Sequence, residues 1–329
     1  MLDQEKQHKK RIPMIKELGC LQEACISILA EDTIAFDTPY VGRFGLSMLL
    51  EFKAESCQKH ILYDTNSAAA PILHNLEIME KSLDRVDTIF LSHCHYDHSD
   101  GLGGILEAID RPVAVIAHCE IFRPCFEINP DGIRHIGIVG QSRQELEQKG
   151  AIFTLTSAPL NLMTGVTTSG EIERITSFEI LEDLYTTIDG QVVQDHEKDD
   201  GAVILNFEQG LVIITGCCHA GIVNTIMQAQ KITGVEKIHA VIGGLHFQDA
   251  SEEKIAKSIG ALKEVEWIFA GHCTGFEGMC RIAGVKGERF KAIHTGTEIR
   301  ITGPECEPVV TTIPTAQRDR HRILCGLKK

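Results

Sequence analysis

The run His93-Cys94-His95-Tyr96-Asp97-His98 constrains this chain more than any other feature. It follows an apolar stretch at 86–91 that reads as a buried strand. Imidazoles at i and i+2 of an extended segment point to one side, so His93 and His95 can share one cation. Asp97 and His98 lie one turn further on and can serve a second cation beside it. Imidazole nitrogen and carboxylate oxygen suit zinc, and also iron or manganese. The pattern predicts two divalent metal ions, zinc foremost, where a strand hands over to a helix.

The rest of the chain reads as strands and helices in alternation. Strands are predicted at 25–30, 46–52, 60–63, 86–91 and 113–117, with helices at 72–83 and from 102 to 109. A hairpin over 201–207 and 211–215 follows, then a helix at 222–232, a strand at 238–242, a helix at 252–265 and a strand at 267–270. Hairpins in both halves favour mixed sheets with helices outside over a doubly wound parallel sheet. Three late strands each end in Gly closely followed by His: Gly216 and His219, Gly244 and His246, Gly271 and His272. That repetition predicts three more imidazoles at one sheet edge. Residues 119–190 give no clear pattern and are the natural place for substrate-facing insertions. The expected layout is a lead-in over 1–24, one domain over 25–302 and a tail over 303–329.

Composition removes several classes. The net charge is 32 − 46 = −14, and nucleic-acid binding gains from Lys/Arg neutralisation of phosphates, so no nucleic-acid partner is expected. No stretch reaches the length of a membrane span. The start, MLDQEKQHKKR, is polar with no apolar run behind it, so the expectation is a cytoplasmic chain whose cysteines stay reduced. The twelve cysteines include no CxxC pair, which argues against a zinc ribbon. The expected partner is a small molecule, and a homodimer would fit a chain of this kind.

Longer segments carry a resemblance. Gly45-Leu46-Ser47, Asp64-Thr65, Leu91-Ser92-His93-Cys94-His95-Tyr96-Asp97-His98, the segment from Thr215 to Asn224 (TGCCHAGIVN), Ile242-Gly243-Gly244-Leu245-His246 and His272-Cys273-Thr274-Gly275 together resemble the metallo-β-lactamase superfamily. They are most similar to a branch labelled 7,8-dihydropterin-6-methyl-4-(β-D-ribofuranosyl)aminobenzene-5′-phosphate synthase or, more loosely, metal-dependent hydrolase of the β-lactamase superfamily. The resemblance spans about 25 to 302. It implies an αββα sandwich, two mixed β-sheets with outer helices and the metals at one edge.

The resemblance also implies roles. His93 and His95 hold the first metal, Asp97 and His98 the second, and His219 is a further ligand. A ligand ahead of the hairpin falls at His196 or Asp199, with Asp199 preferred. Cys217 or Cys218 stands where many relatives carry a bridging carboxylate, although a small buried residue is the plainer reading of both. His272 resembles the last ligand and His246 a substrate contact, and the two roles are exchangeable. Asp64 orients the metal loop from behind. Asn66 departs from the usual Gly after Asp-Thr.

Two reactions suit such a centre. In the first, a metal-bound hydroxide attacks a carbonyl or phosphoryl group of a small phosphorylated or ester-type metabolite. Asp97 then orients the nucleophile, and His246 or His272 handles charge on the substrate. This hydrolase reading is preferred. The second is a transfer in which a pterin diphosphate ionises and an aromatic carbon attacks. With one Trp and four Tyr, a pterin clamp would have to come from Phe or Arg. A third reading, a non-catalytic metal or ligand-binding protein, would need the same ligands without an open position.

Overall fold

The computed structural model describes residues 18–55, 57–303 and 307–312. Of the expected lead-in, residues 1–17 lie outside the described residues, as do 304–306 and 313–329 of the expected tail. Among the described residues no helix is long and apolar enough to cross a membrane.

Two mixed sheets stack face to face. In the first, strands run in the order Val309–Thr312, Thr297–Thr302, Glu23–Ala30, Ser47–Ala54, Cys57–Tyr63, Thr88–Phe90, Val113–Ala117 and Ala151–Leu155. The second runs Phe290–Ala292, Trp267–Ala270, Ile238–Gly243, Gly210–Thr215, Ala202–Phe207, Val166–Thr168 and Asn161–Met163. Period-two alternation sorts the side chains. Val203, Leu205 and Phe207 turn inward to meet Ile26, Ile28, Leu50 and Tyr63 of the other sheet. Ala202 and Ile204 turn outward beneath the helices Ile222–Thr233 and Glu252–Leu262. Leu62, Ile89 and Val115 meet the helices Ala69–Ile78 and Leu102–Ile109 on the far side. The four layers are the expected αββα sandwich, with three apolar seams holding it together. Each fully buried Ile or Leu contributes about 1.5–3 kcal/mol.

Several boundaries differ from the sequence reading. The helix predicted at 72–83 runs from Ala69 to Ile78 and is stopped by a left-handed turn at Glu80. The strand predicted at 86–91 is paired only over Thr88–Phe90. Within the expected tail, Val309–Thr312 pairs with Thr297–Thr302 as an edge strand. The unread region supplies three of the four strands of a third sheet, ordered Gln191–Gln194, Leu184–Ile188, Phe126–Asn129 and Gly132–His135. Its strands are short and largely exposed, so they carry no alternating apolar signature.

Parallel pairing brings the chemistry to one edge. Tyr63, Phe90 and Ile116 are in register on parallel strands, as are Thr215, Gly243 and Ala270. The segments that follow these strand ends therefore leave together, the position where open α/β sheets bind ligands.

Candidate metal centre

Four buried side chains converge after those strand ends: Asp97, His98, Cys217 and His272. His98 Nε2 lies 3.1 Å from both Cys217 Sγ and His272 Nε2, and Cys217 Sγ is 3.3 Å from His272 Nε2. Asp97 Oδ2 lies 3.5 Å from His98 Nε2 and 3.4 Å from His272 Nε2. A tetrahedral zinc site with bonds of about 2.0–2.3 Å has ligand–ligand edges of roughly 3.3–3.8 Å. The donor set and its spacing thus fit one tetrahedral cation with an S, N, N, O shell.

A second trio adjoins it. His93, His95 and His219 are buried, with ligand atoms within reach of one ion, and the His93 and His98 rings are 4.3 Å apart. His93 Nε2 and His219 Nε2 are buried with no hydrogen-bond partner, a costly state unless something binds them. Burial and the neighbouring imidazoles push His93 well below its ordinary pKa. Burial, with His219 beside it, lowers His95 to about 3. Both shifts favour the neutral ring, the state a ligand requires. Burial alone would raise the Asp97 carboxyl, but His98 and His272 outweigh it and hold it below the usual carboxylate range.

Carboxylates behind the ligands fix them. Asp64 accepts from Ser92 N, Ser92 Oγ and His98 Nδ1, each at 2.7 Å. That leaves His98 Nε2 free to face the centre. Ser92 Oγ in turn meets His93 Nδ1 at 2.9 Å. Asp32 Oδ1 holds His272 Nδ1 at 3.0 Å, and Glu31 Oε1 accepts from His272 N. Asp64, Asn66, Glu197, Cys218, His246 and His272 all have positive φ, and such strain clusters at functional sites. Asn66 sits in the left-handed region with φ 55°, which Asn tolerates, so the turn survives the loss of Gly. Gly45 has φ 116°, and a Cβ there would lie 2.0 Å from Asp97 O.

The structure does not place Asp199 in either set. Its Oδ2 accepts from Cys94 N at 2.7 Å and pairs with Arg123 Nη1 at 2.7 Å, so it anchors the metal loop from outside. His196 is exposed. Glu197, between them, points inward: its Oε1 lies 2.7 Å from His219 Nδ1 and its Oε2 3.0 Å from Arg174. Cys217 joins the cluster, whereas Cys218 turns to Thr225 Oγ1. His246 and His272 take different positions. His272 is in the four-residue set, while His246 lines the cleft with its ring 4.1 Å from that of His219.

The centre opens on a cleft of about 190 Å³. Glu182, from the unread acidic region, reaches into it: Oε2 is 3.1 Å from His246 Nε2 and 3.4 Å from His219 Nδ1. Glu179 from the same region caps the Ile222–Thr233 helix by accepting from Val223 N and Asn224 N. Six of the twenty residues from 171 to 190 are Asp or Glu, which is the one sequence signal for both.

Comparison with known proteins gives the family. Residues 41–123 match the metallo-beta-lactamase superfamily. The 7,8-dihydropterin-6-methyl-4-(beta-D-ribofuranosyl)-aminobenzene-5′-phosphate synthase of Methanocaldococcus jannaschii is 35% identical over 293 residues, 87% of this chain and 100% of that protein. The chain belongs to the metallo-β-lactamase superfamily. Within it, the chain falls in the branch of that synthase. An uncharacterized protein of the same organism is 29% identical over 277 residues, 84% of this chain and 100% of its own. A crystal structure of a metal-dependent hydrolase of the β-lactamase superfamily superposes with a TM-score of 0.71 at 20% identity, covering 85% of this chain and 99% of that one. It shares the metallo-β-lactamase fold. In this superfamily member the edge cluster is thus the metal-binding candidate of a metal-dependent enzyme class.

Proposed function

We propose that the chain is a two-metal transferase of the kind its synthase relative is named for. It would join a 7,8-dihydropterin-6-methyl unit to a ribofuranosylaminobenzene 5′-phosphate. The observation that carries the metal part is the pair of adjoining ligand sets opening on one cleft. The full-length 35% identity to the synthase favours transfer over the hydrolysis that the motif alone suggests.

In this reading the bond from the pterin methylene carbon to a diphosphate oxygen breaks, and the oxygen keeps the electron pair. The arylamine nitrogen forms the new bond to that carbon and gives up a proton. Nitrogen, with its free lone pair, is a better nucleophile than the ring carbon considered above. Two divalent cations, zinc being the best match to a set with a thiolate, would supply Lewis-acid stabilisation of the departing diphosphate.

The chain's own groups do the rest. Asp64 and Asp32 keep the protons of His98 and His272 at Nδ1. His246 is held through Nε2 by Glu182, and its Nδ1 is buried without a partner. That nitrogen would take the arylamine proton. Asp97, His98, Cys217 and His272 would hold one cation and His93, His95 and His219 the other.

The test is to incubate the metal-replete protein with the pterin methyl diphosphate and the arylamine ribofuranoside phosphate. Coupled product with one diphosphate per turnover is expected. Diphosphate release that does not depend on the arylamine would return the assignment to a hydrolase.

A further inference from the structure

The geometry points to Arg134, with Tyr96 and Phe44 beside it, as the subsite that recognises the 5′-phosphate monoester of a ribose linked to an aromatic ring. This rests on the reading above that one substrate is such an aryl ribofuranoside 5′-phosphate.

Arg134 lies opposite Glu127 in the Phe126–Asn129 and Gly132–His135 hairpin, and Glu127 lies opposite Leu184 on the next strand. All three line the cleft. The third sheet therefore turns this face toward the metal centre. Arg134 is the one Lys or Arg among the lining residues, where Asp97, Glu127 and Glu182 supply negative charge. A phosphorylated ligand needs a cation here beyond those at the centre.

Arg134 is also held ready. Its Nη2 donates to Tyr96 Oη at 3.0 Å, and its guanidinium lies 5.7 Å from the Tyr96 ring centroid. Tyr96 is itself fixed, its backbone N donating to Ile136 O at 2.8 Å. The remaining ion pair, to Glu127, is 3.5 Å long and the Arg134 side chain is 56% exposed. Such a pair contributes little, and most of the five N–H donors of the fork stay available. A planar fork with free donors suits bidentate phosphate recognition.

Phe44 supplies the apolar wall. Its ring packs 6.0 Å from Tyr96 and 5.7 Å from His272, yet 52% of the residue stays exposed. A large aromatic side chain left half open beside a metal ligand gives an aryl substrate a surface to stack on.

The test uses the metal-loaded full chain and calorimetric Kd values for 4-(β-D-ribofuranosyl)aminobenzene 5′-phosphate and its dephosphorylated counterpart. Wild type should bind the phosphorylated form roughly ten- to hundredfold tighter. Arg134→Gln should erase most of that ratio and Arg134→Lys restore part of it, with metal content unchanged in both. Phe44→Ala should weaken both ligands by a similar factor and leave their ratio intact. A ratio that persists in Arg134→Gln, or is absent from wild type, overturns the assignment. Loss of the ratio in Arg134→Gln without any coupled product in the synthase assay would keep the subsite and remove the proposed reaction.

Discussion

Asp64→Asn isolates the logic of the centre, because it changes one atom in a buried hydrogen-bond hub. Asp64 has no exposed surface and accepts three bonds of 2.7 Å. Its φ of 53° suits Asn, so the backbone is not at issue. The new amide must place its NH2 against either Ser92 N–H or His98 Nδ1. The backbone amide can only donate, whereas an imidazole can change tautomer, so the NH2 goes to His98. His98 then carries its proton on Nε2, where a ligand lone pair is needed. The same NH2 donates to Ser92 Oγ, which turns to donate to His93 Nδ1, and His93 is shifted to the wrong tautomer as well.

Losing an outer partner of this kind costs about 10–100-fold in metal affinity, or about 1.4–2.8 kcal/mol. The lost charge-assisted bonds cost a further 1.5–3 kcal/mol or so in folding. Competition titration of zinc against a chromophoric chelator should show both ions bound more weakly in Asp64→Asn. In Ser92→Ala the loss should fall on the His93 set alone. Wild-type affinity for both ions in Asp64→Asn would refute the tautomer argument.

Three other expectations follow from the structure. Arg123→Met leaves the Asp199 carboxylate buried without its cation and should cost about 3–5 kcal/mol in urea unfolding; metal content should be unchanged, and metal loss would return Asp199 to the ligand set. Gly45→Ala drives a Cβ into Asp97 O at a positive φ and should cost at least about 2 kcal/mol in the same assay, with weaker metal binding. Burial works against ionisation of Glu266, but His239, Arg289 and Lys237 outweigh it and hold its carboxyl below the ordinary 4.5. That contribution is present above pH 4.5 and is lost as pH falls through the lower folded value. Because Glu266 is about one-third exposed, Glu266→Gln should remove only about 0.5–1 kcal/mol at pH 7 and flatten the acid limb of a Tm-against-pH curve.

The legible parts were those written in local patterns. Period-two runs such as 202–207 and the His93–His98 spacing each fit within one element, and the Gly-then-His strand ends announced His219, His246 and His272. Asp199 shows the limit of spacing. From 195 to 199 side chains alternate between buried and exposed, and nothing local tells that Glu197 faces His219 while Asp199 faces Arg123. Asp32 and Glu182 reach the centre from distant parts of the chain, so only tertiary packing reveals them. The third sheet stayed unread because its strands are short and polar. With so few Trp and Tyr the sequence leaves an aromatic clamp to Phe or Arg, and Phe44, beside Tyr96, does line the cleft.

Elemental analysis of metal per chain, on wild type, His272→Ala and His219→Ala loaded and dialysed in parallel, tests the central claim most directly. About two ions in wild type and about one in each variant are expected, since each substitution opens one of the two ligand sets. Wild-type protein that holds no stoichiometric metal after metal-replete preparation would contradict the account.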